Sequence, residues 1–401
     1  MTKTIVLIGA MDTKGADFAY VKRLIEDQQL QTCVVDFGVM GDPAFTVNVS
    51  ASIVAEAGGG DLTMLRQGDR KDDAMRVMAH GAAVIIQRLY AEGKLDGIMG
   101  MGGGGGTSIA TAAMRALPVG VPKLMVSTMA GGDITAFAGL KDITFMPSVV
   151  DVAGLNRISR VIYTNAAGAM CGMVNAQAPT VPNEKRLIAA SMFGNTTTAV
   201  SHAKGILEGA GYEVLVFHAT GTGGRTMESL ITDGYISGVL DLTTTELADT
   251  VCGGVLDAGA ERVTGAPRAG VPVVIAPGCV DMANFGGIET VPAQYRDRNL
   301  YQWNPNVTLL RTNVAENTRI GEMIAAAANL ATAPVTVLLP LQGVSMLDSE
   351  GGRFWDTEAD NACFDAIRHN LRADIPVVTL DCNINDPVFS SKAAALLLAM
   401  L

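Results

Sequence analysis

Five glycines in a row, Gly102, Gly103, Gly104, Gly105 and Gly106, separate the apolar Ile98-Met99 from an alanine-rich run that begins at Thr107-Ser108. Glycine weakens helix and strand interiors by roughly 0.5–1 kcal/mol per residue relative to alanine. The stretch Gly97–Ala112, GIMGMGGGGGTSIATA, therefore reads as strand, turn and helix, with the glycines in the turn. Lacking Cβ atoms, such a turn lets a ligand press against backbone N–H groups. The helix behind it offers unpaired amides and the positive end of its dipole. Thr107 and Ser108 add hydroxyls at the cap, and the chemistry this suits is a phosphate cradle. A flexible linker is the other reading, and the apolar flanks argue against it.

Neighbouring signatures narrow the chemistry. G-x-G-x-x-G fits Gly100, Gly102 and Gly105, but a pentaglycine fits almost any glycine pattern, and no G-x-x-x-x-G-K-[ST] occurs. The turn resembles the G-G-D-G-T phosphate loop of phosphofructokinase-like kinases with glycine in place of their Asp, so kinase chemistry does not follow from it. With 401 residues the chain suits about two or three domains. A hydrophobic fraction of 49% against 17% charged residues indicates large buried cores. The net charge of −11, with no basic run, makes nucleic acid and anionic membranes poor partners. Six scattered cysteines without C-x-x-C or zinc spacing read as reduced thiols of a cytoplasmic protein. The apolar runs at the two ends are too short for a signal-peptide core or a membrane span.

Taken in order, Thr4–Gly9 is an apolar run of the buried parallel-strand type, followed by Ala10-Met11-Asp12-Thr13-Lys14-Gly15 and a helical pattern through Leu24. In a doubly wound fold this first turn lies where ligands bind. Lys14 could meet a phosphate and Asp12 a metal or ribose; the alternative is N-capping by Asp12 or Thr13 with Lys14 in solvent. Asp36 closes the second strand, where an acid can bond a ribose hydroxyl. Met75, Met78, Ala82, Ile85 and Leu89 mark an amphipathic helix. Val121–Val126 ends in Ser127, followed by Gly131, Gly132 and Asp133, again suited to close ligand approach. Asp151 and Asn156, among apolar neighbours, suggest structural hydrogen bonds. The two prolines of Ala178–Asn183 mark a linker.

The pattern then restarts. Strands at Leu187–Phe193, Val214–His218, Val239–Leu242 and Val273–Ala276 each end in Gly-, Thr- or Asp-bearing turns, and further strands follow at Val307–Leu310, Val335–Leu339 and Ile375–Leu380. The expected fold is α/β: two doubly wound, Rossmann-like parallel-sheet domains, 1–182 and 183–401, with a cleft between them. Order of turns in the two halves suggests a duplication. HATGTGGR holds His218 at a strand end, three glycines, and Arg225 as an anion fork. With Glu246 and Asp281 these would form a second site, the catalytic set if the protein is an enzyme. The polar, glycine-rich loop around Asp348 could close over a ligand. Cys279 is read as a buried, inert thiol.

GAMDTKG, MGGGGGTSIAT, MVSTMAGGD, SVVDVAGLN, FHATGTGGRTME, LDLTTTE, GCVDMANFGG and GVSMLDSEGGRFWD occur in the order found in the Tm-one-like ATP-binding family. The resemblance runs from Thr4 to about Phe389. It implies two Rossmann-like domains, binding of ATP and Mg2+, and a homodimer. On that reading Gly102–Gly106, Thr107 and Ser108 cradle phosphates, Lys14 offsets their charge, and Asp12 or Asp133 holds magnesium. One departure stands out: the family's glycine loop often carries Ser, and here all five are Gly. Two rivals remain at this point: a nucleotide-stabilised interaction module, and an enzyme on a phosphorylated metabolite that uses no nucleotide.

Overall fold

The computed structural model describes residues 2–67, 71–177, 179 and 182–401. The chain divides into two compact units, Met1–Thr180 and Val181–Leu401. Of the proline-bearing stretch expected to join them, Ala178, Thr180 and Val181 lie outside the described residues.

The first unit runs β1 (Thr4–Gly9), α1 (Met11–Glu26), β2 (Gln31–Asp36), α2 (Ala51–Ala57), α3 (Leu62–Arg66), α4 (Lys71–Ala91), β3 (Gly97–Gly102), α5 (Gly104–Arg115), β4 (Lys123–Ser127), α6 (Thr135–Ala138), β5 (Thr144–Pro147) and α7 (Arg157–Asn175). Its five strands form one parallel sheet in the order β2-β1-β3-β4-β5. Because both faces of such a sheet are covered by helices, its central strands β1 and β3 are apolar and buried almost along their whole length. Val6, Ile8 and Ile98 pack with the Met78, Ala82 and Ile85 stripe of α4 and with α5. Ile5, Leu7 and Met99 face Phe18 and Val21 of α1 and Tyr163 and Met170 of α7.

The second unit contains β6 (Leu187–Met192), α8 (Thr197–Gly209), β7 (Glu213–His218), α9 (Thr222–Thr232), β8 (Ile236–Thr243), α10 (Glu246–Cys252), α11 (Gly265–Ala269), β9 (Val273–Gly278), β10 (Met282–Phe285), β11 (Leu300–Asn304), β12 (Val307–Arg311), α12 (Val314–Ala328), β13 (Val335–Pro340), α13 (Thr357–Asn370), β14 (Val377–Leu380) and α14 (Pro387–Leu398). Six strands make a parallel sheet, β14-β13-β9-β8-β6-β7. Ranked by chain position, its strand order repeats that of the first unit and adds one strand. Val307–Leu310 is a strand, as expected from the sequence, but not a member of that sheet. As β12 it pairs antiparallel with both β10 and β11 in a separate three-stranded sheet. Among the described residues no helix is long and apolar enough to cross a membrane.

Candidate functional site

In an open parallel sheet, ligands bind outside the carboxyl ends of the strands where the strand order reverses. In the first unit that point lies between β1 and β3, which pair with Ile8 beside Gly100. The first turn of α1, which follows β1 after Ala10, carries Asp12, Thr13 and Lys14, and the chain leaving β3 is the glycine run. Two stretches singled out separately in the sequence thus open at one mouth.

The glycines do not form a loop. Gly102 is the last residue of β3, Gly103 alone makes the turn (φ −84°, ψ −161°), and Gly104, Gly105 and Gly106 are the first turn of α5. That first turn has no intrahelical acceptors for its N–H groups. None of the five glycines has a positive φ. A Cβ at Gly104 would meet nothing nearer than the Met129 Sδ at 3.9 Å, and one at Gly105 nothing nearer than the Met75 Sδ at 3.6 Å. At Gly103 and Gly106 the nearest atoms would lie 3.6 and 3.7 Å away. Among the described residues, neither backbone geometry nor packing requires glycine at these four positions.

The polar residues around the mouth are largely engaged. Thr107 and Ser127 are buried with their hydroxyls 2.7 Å apart, and the Ser127 Oγ also accepts the Met129 N–H. They tie the start of α5 to the end of β4, so Thr107 is not the free phosphate donor expected. Ser108 is half-buried on the same turn, and Gly131 and Gly132 are exposed after β4. Asp36 is buried, and its Oδ1 accepts the Met11 and Gly38 N–H groups at 2.9 and 2.8 Å. It pins the β1 loop instead of reaching a ribose. Burial raises its pKa, and the two amides oppose the rise. Asp12 Oδ1 accepts from the Thr13 N–H, and Oδ2 from Met40 and Gly41, so this carboxylate too is spent on loop structure. Thr13 is exposed. Asp133 is exposed and caps Thr135. Lys14 donates to the Val152 carbonyl. Among the described residues no three His, Cys, Asp or Glu side chains gather as a metal site.

The second glycine loop, by contrast, is already filled from within. Gly221 and Gly224 donate their N–H groups to Glu246 Oε1 at 2.6 and 3.1 Å. Gly221 has φ +77°, a Cβ on Gly223 would fall 1.8 Å from the His218 carbonyl oxygen, and one on Gly224 would fall 2.2 Å from Glu246 Oε2. Here packing explains every glycine, and the anion in the cradle is the chain's own carboxylate. Glu246 is fully buried and is also bound by Arg262 Nε at 2.5 Å. Its proposed catalytic partners do not join it. His218 and Arg225 are exposed, and Asp281 is buried beyond β9, where Ser345 donates to its Oδ2. Among the described residues no hydrogen bond or ion pair links these four side chains, and the structure does not bring them together as a bonded set.

Sequence reasoning missed Arg262 and a buried acid cluster. Asp281, Asp348 and Asp360 surround Arg311, whose Nη2 lies 2.7 Å from Asp360 and 3.6 Å from Asp348. Asp348 is fully buried and accepts the Val344 N–H, which anchors the loop expected to close over a ligand. Burial and the neighbouring Asp348 push Asp281 up to about 7, and the same causes push Asp360 up to about 8. Burial also raises Asp249 to about 7 against its bonds from Asn284. The folded chain therefore holds protons that the unfolded chain, with carboxyls near 4, releases. That stabilisation is complete below the unfolded pKa and is lost as pH rises through 7–8. Both tryptophans, Trp303 and Trp355, lie in the second unit, so their fluorescence follows it. The urea midpoint by tryptophan fluorescence is expected to be higher at pH 5 than at pH 9; equal midpoints would contradict a protonated cluster.

Residues 3–179 match the N-terminal domain, and residues 185–401 the C-terminal domain, of the Uncharacterised protein family (UPF0261). A UPF0261 protein of Clostridium tetani is 48% identical over 402 residues, spanning 100% of each chain. One from Rhizobium meliloti is 45% identical over 98% of each chain. The ToMV resistance protein Tm-1 of Solanum lycopersicum is 39% identical over 341 residues, which are 83% of this chain and 45% of the tomato protein. Among solved structures, MurG of Acinetobacter baumannii aligns over 100% of both chains with 12% identity and a TM-score of 0.23, too slight a likeness to carry an argument. With both domains matched end to end and close relatives of the same length, the chain belongs to the UPF0261 family, which it shares with bacterial proteins and with the Tm-1 proteins of tomato.

Proposed function

We propose that the first unit binds ATP with magnesium, the phosphates seated on the first turn of α5 at the β1–β3 mouth. The observation that supports this is the idle glycines. Gly103 to Gly106 serve no turn with positive φ and relieve no clash with the described residues, although glycine costs a helix up to about 1 kcal/mol per residue against alanine. Bare backbone at a helix N-terminus suits the close approach of an anion. In a chain of net charge −11, that local positive field is what a polyphosphate would need. With Asp12 occupied, magnesium would ride on phosphate oxygens and water, aided by Asp133. Phosphoryl transfer or ligation on a small metabolite is the reaction class such a cradle serves. A homodimer and a cytoplasmic setting, which suits six free thiols, belong to the same reading. Resistance to ToMV, in the name of the tomato relative, is a property of that protein.

A thermal-shift titration with ATP, ADP, NAD and sugar phosphates, with and without magnesium, tests it. ATP at 100 times its Kd should add about 2.7 kcal/mol, a rise of a few degrees at this size. A shift with a sugar phosphate and none with ATP would refute the nucleotide.

A further inference from the structure

The segment between β5 and α7, residues 148–156, is tied down at both ends and strained in between. Ser148 donates its N–H to the Ser127 carbonyl, which sets the segment beside the end of β4. Val150 then donates its N–H to the Ser148 carbonyl at 2.7 Å, closing a γ-turn on Val149 with φ +63°. That conformation is rare and strained for any L residue, and most of all for a β-branched one. Little packing among the described residues holds Val149 there, for the residue is 77% exposed. Ser148, beside it, is buried with its Oγ unpartnered. The far half is held to α1 by two bonds: Asp17 Oδ2 accepts the Gly154 N–H at 3.0 Å, and Lys14 donates to the Val152 carbonyl. Lys14 itself sits at a kink in the first turn of α1, with φ −126° and ψ 16°, in the connection that follows β1 at the mouth.

We propose that residues 148–156 are a phosphate-released strap: Lys14 exchanges the Val152 carbonyl for a phosphate oxygen when the ligand seats, and the strap lets go of α1. The inference rests on the reading that phosphates seat on α5. A neutral carbonyl is a weaker acceptor for an ammonium than a phosphate anion, which adds ion pairing to the hydrogen bond. Release also relaxes the turn at Val149, so strain and ligand act in the same direction. Occupancy of the mouth is thereby reported at a surface that carries Val149 and the exposed Ile158 and Val161 of α7.

Hydrogen exchange of the full chain, read by mass spectrometry with ATP–magnesium and separately with inorganic pyrophosphate, tests the strap. Peptides covering 148–156 should exchange about tenfold faster or more with either ligand, as expected for loss of a bond to a charged group. Peptides covering 104–107 should slow. In Lys14→Met the strap should exchange fast without ligand and gain nothing from it. In Val149→Gly, which keeps Lys14 and removes the strain, the ligand-induced acceleration should shrink. Slower exchange at 104–107 with an unchanged or slower strap would overturn the strap and leave the phosphate site standing. No change anywhere with ATP or pyrophosphate would overturn both. The wild-type measurement decides the matter even if Lys14→Met folds poorly.

Discussion

Replacing Arg262 by methionine is expected to cost the second unit about 3–5 kcal/mol, the range for removing one partner from a buried ion pair. The guanidinium is fully buried and holds three acids at once. Nη1 and Nη2 grip Asp241 at 2.5 and 2.7 Å, Nε binds Glu246 at 2.5 Å, and Nη1 lies 3.3 Å from Glu228. Nη2 also donates to the Thr243 carbonyl at 3.0 Å. The acids set the end of β8, the start of α10 and, through Val263 and Gly265, the approach to α11. Methionine would leave those carboxylates in the core without a counter-ion. Burial already raises the pKa of Glu228 and of Glu246, so the variant would recover part of its loss at pH 5 by protonating them. Urea unfolding followed by tryptophan fluorescence measures both effects. A loss below about 1 kcal/mol, as for a surface pair, would mean that the hub is not structural.

Gly104→Val is expected to remove ATP binding and leave the fold intact. A Cβ fits at Gly104, in ordinary contact with the Met129 sulfur at 3.9 Å, and valine is a better helix former than glycine. The valine methyl groups would instead occupy the space over the first-turn amides that a phosphate must enter. Loss of one charge-assisted bond, worth roughly 1.5–3 kcal/mol, weakens binding by about 10- to 100-fold, and exclusion of the phosphate by more. Unchanged affinity in a variant with wild-type thermal stability would refute the cradle. Gly224→Val offers the converse. There the new side chain collides with Glu246, and the expected result is a destabilised second unit with ATP binding unaltered.

These contrasts show what the chain makes legible and what it hides. Apolar runs such as TIVLIG marked the parallel strands, and the stripe from Met75 to Leu89 marked α4, because burial on one face or two leaves a period in the sequence. Val307–Leu310 carries the same kind of run, yet a run does not reveal its partner, and β12 pairs in a different sheet. β5, short and half-exposed at the sheet edge, left no signal. The two glycine loops looked alike because composition records the absence of side chains and not what approaches the bare backbone. In one loop the approach comes from Glu246, 25 residues on from Gly221. In the other, among the described residues, nothing comes nearer than 3.6 Å to a Cβ built at Gly103, Gly104, Gly105 or Gly106. Asp241 inside the apolar VLDLT was the available sign of a buried counter-charge, but nothing local pointed to Arg262. Thr107, Ser127, Asp12 and Asp36 suggest function by their side-chain groups; each also has a hydrogen bond to a residue 20 or more positions away, which shows only in three dimensions.

The most direct test of the phosphate site is a crystal structure of the chain grown with magnesium and a slowly hydrolysed ATP analogue. The account predicts phosphate oxygens at hydrogen-bonding distance, about 3 Å, from the amides of the first turn of α5, with the Lys14 ammonium turned from Val152 to the phosphates. Nucleotide bound elsewhere, with the glycine turn facing only water, would contradict it.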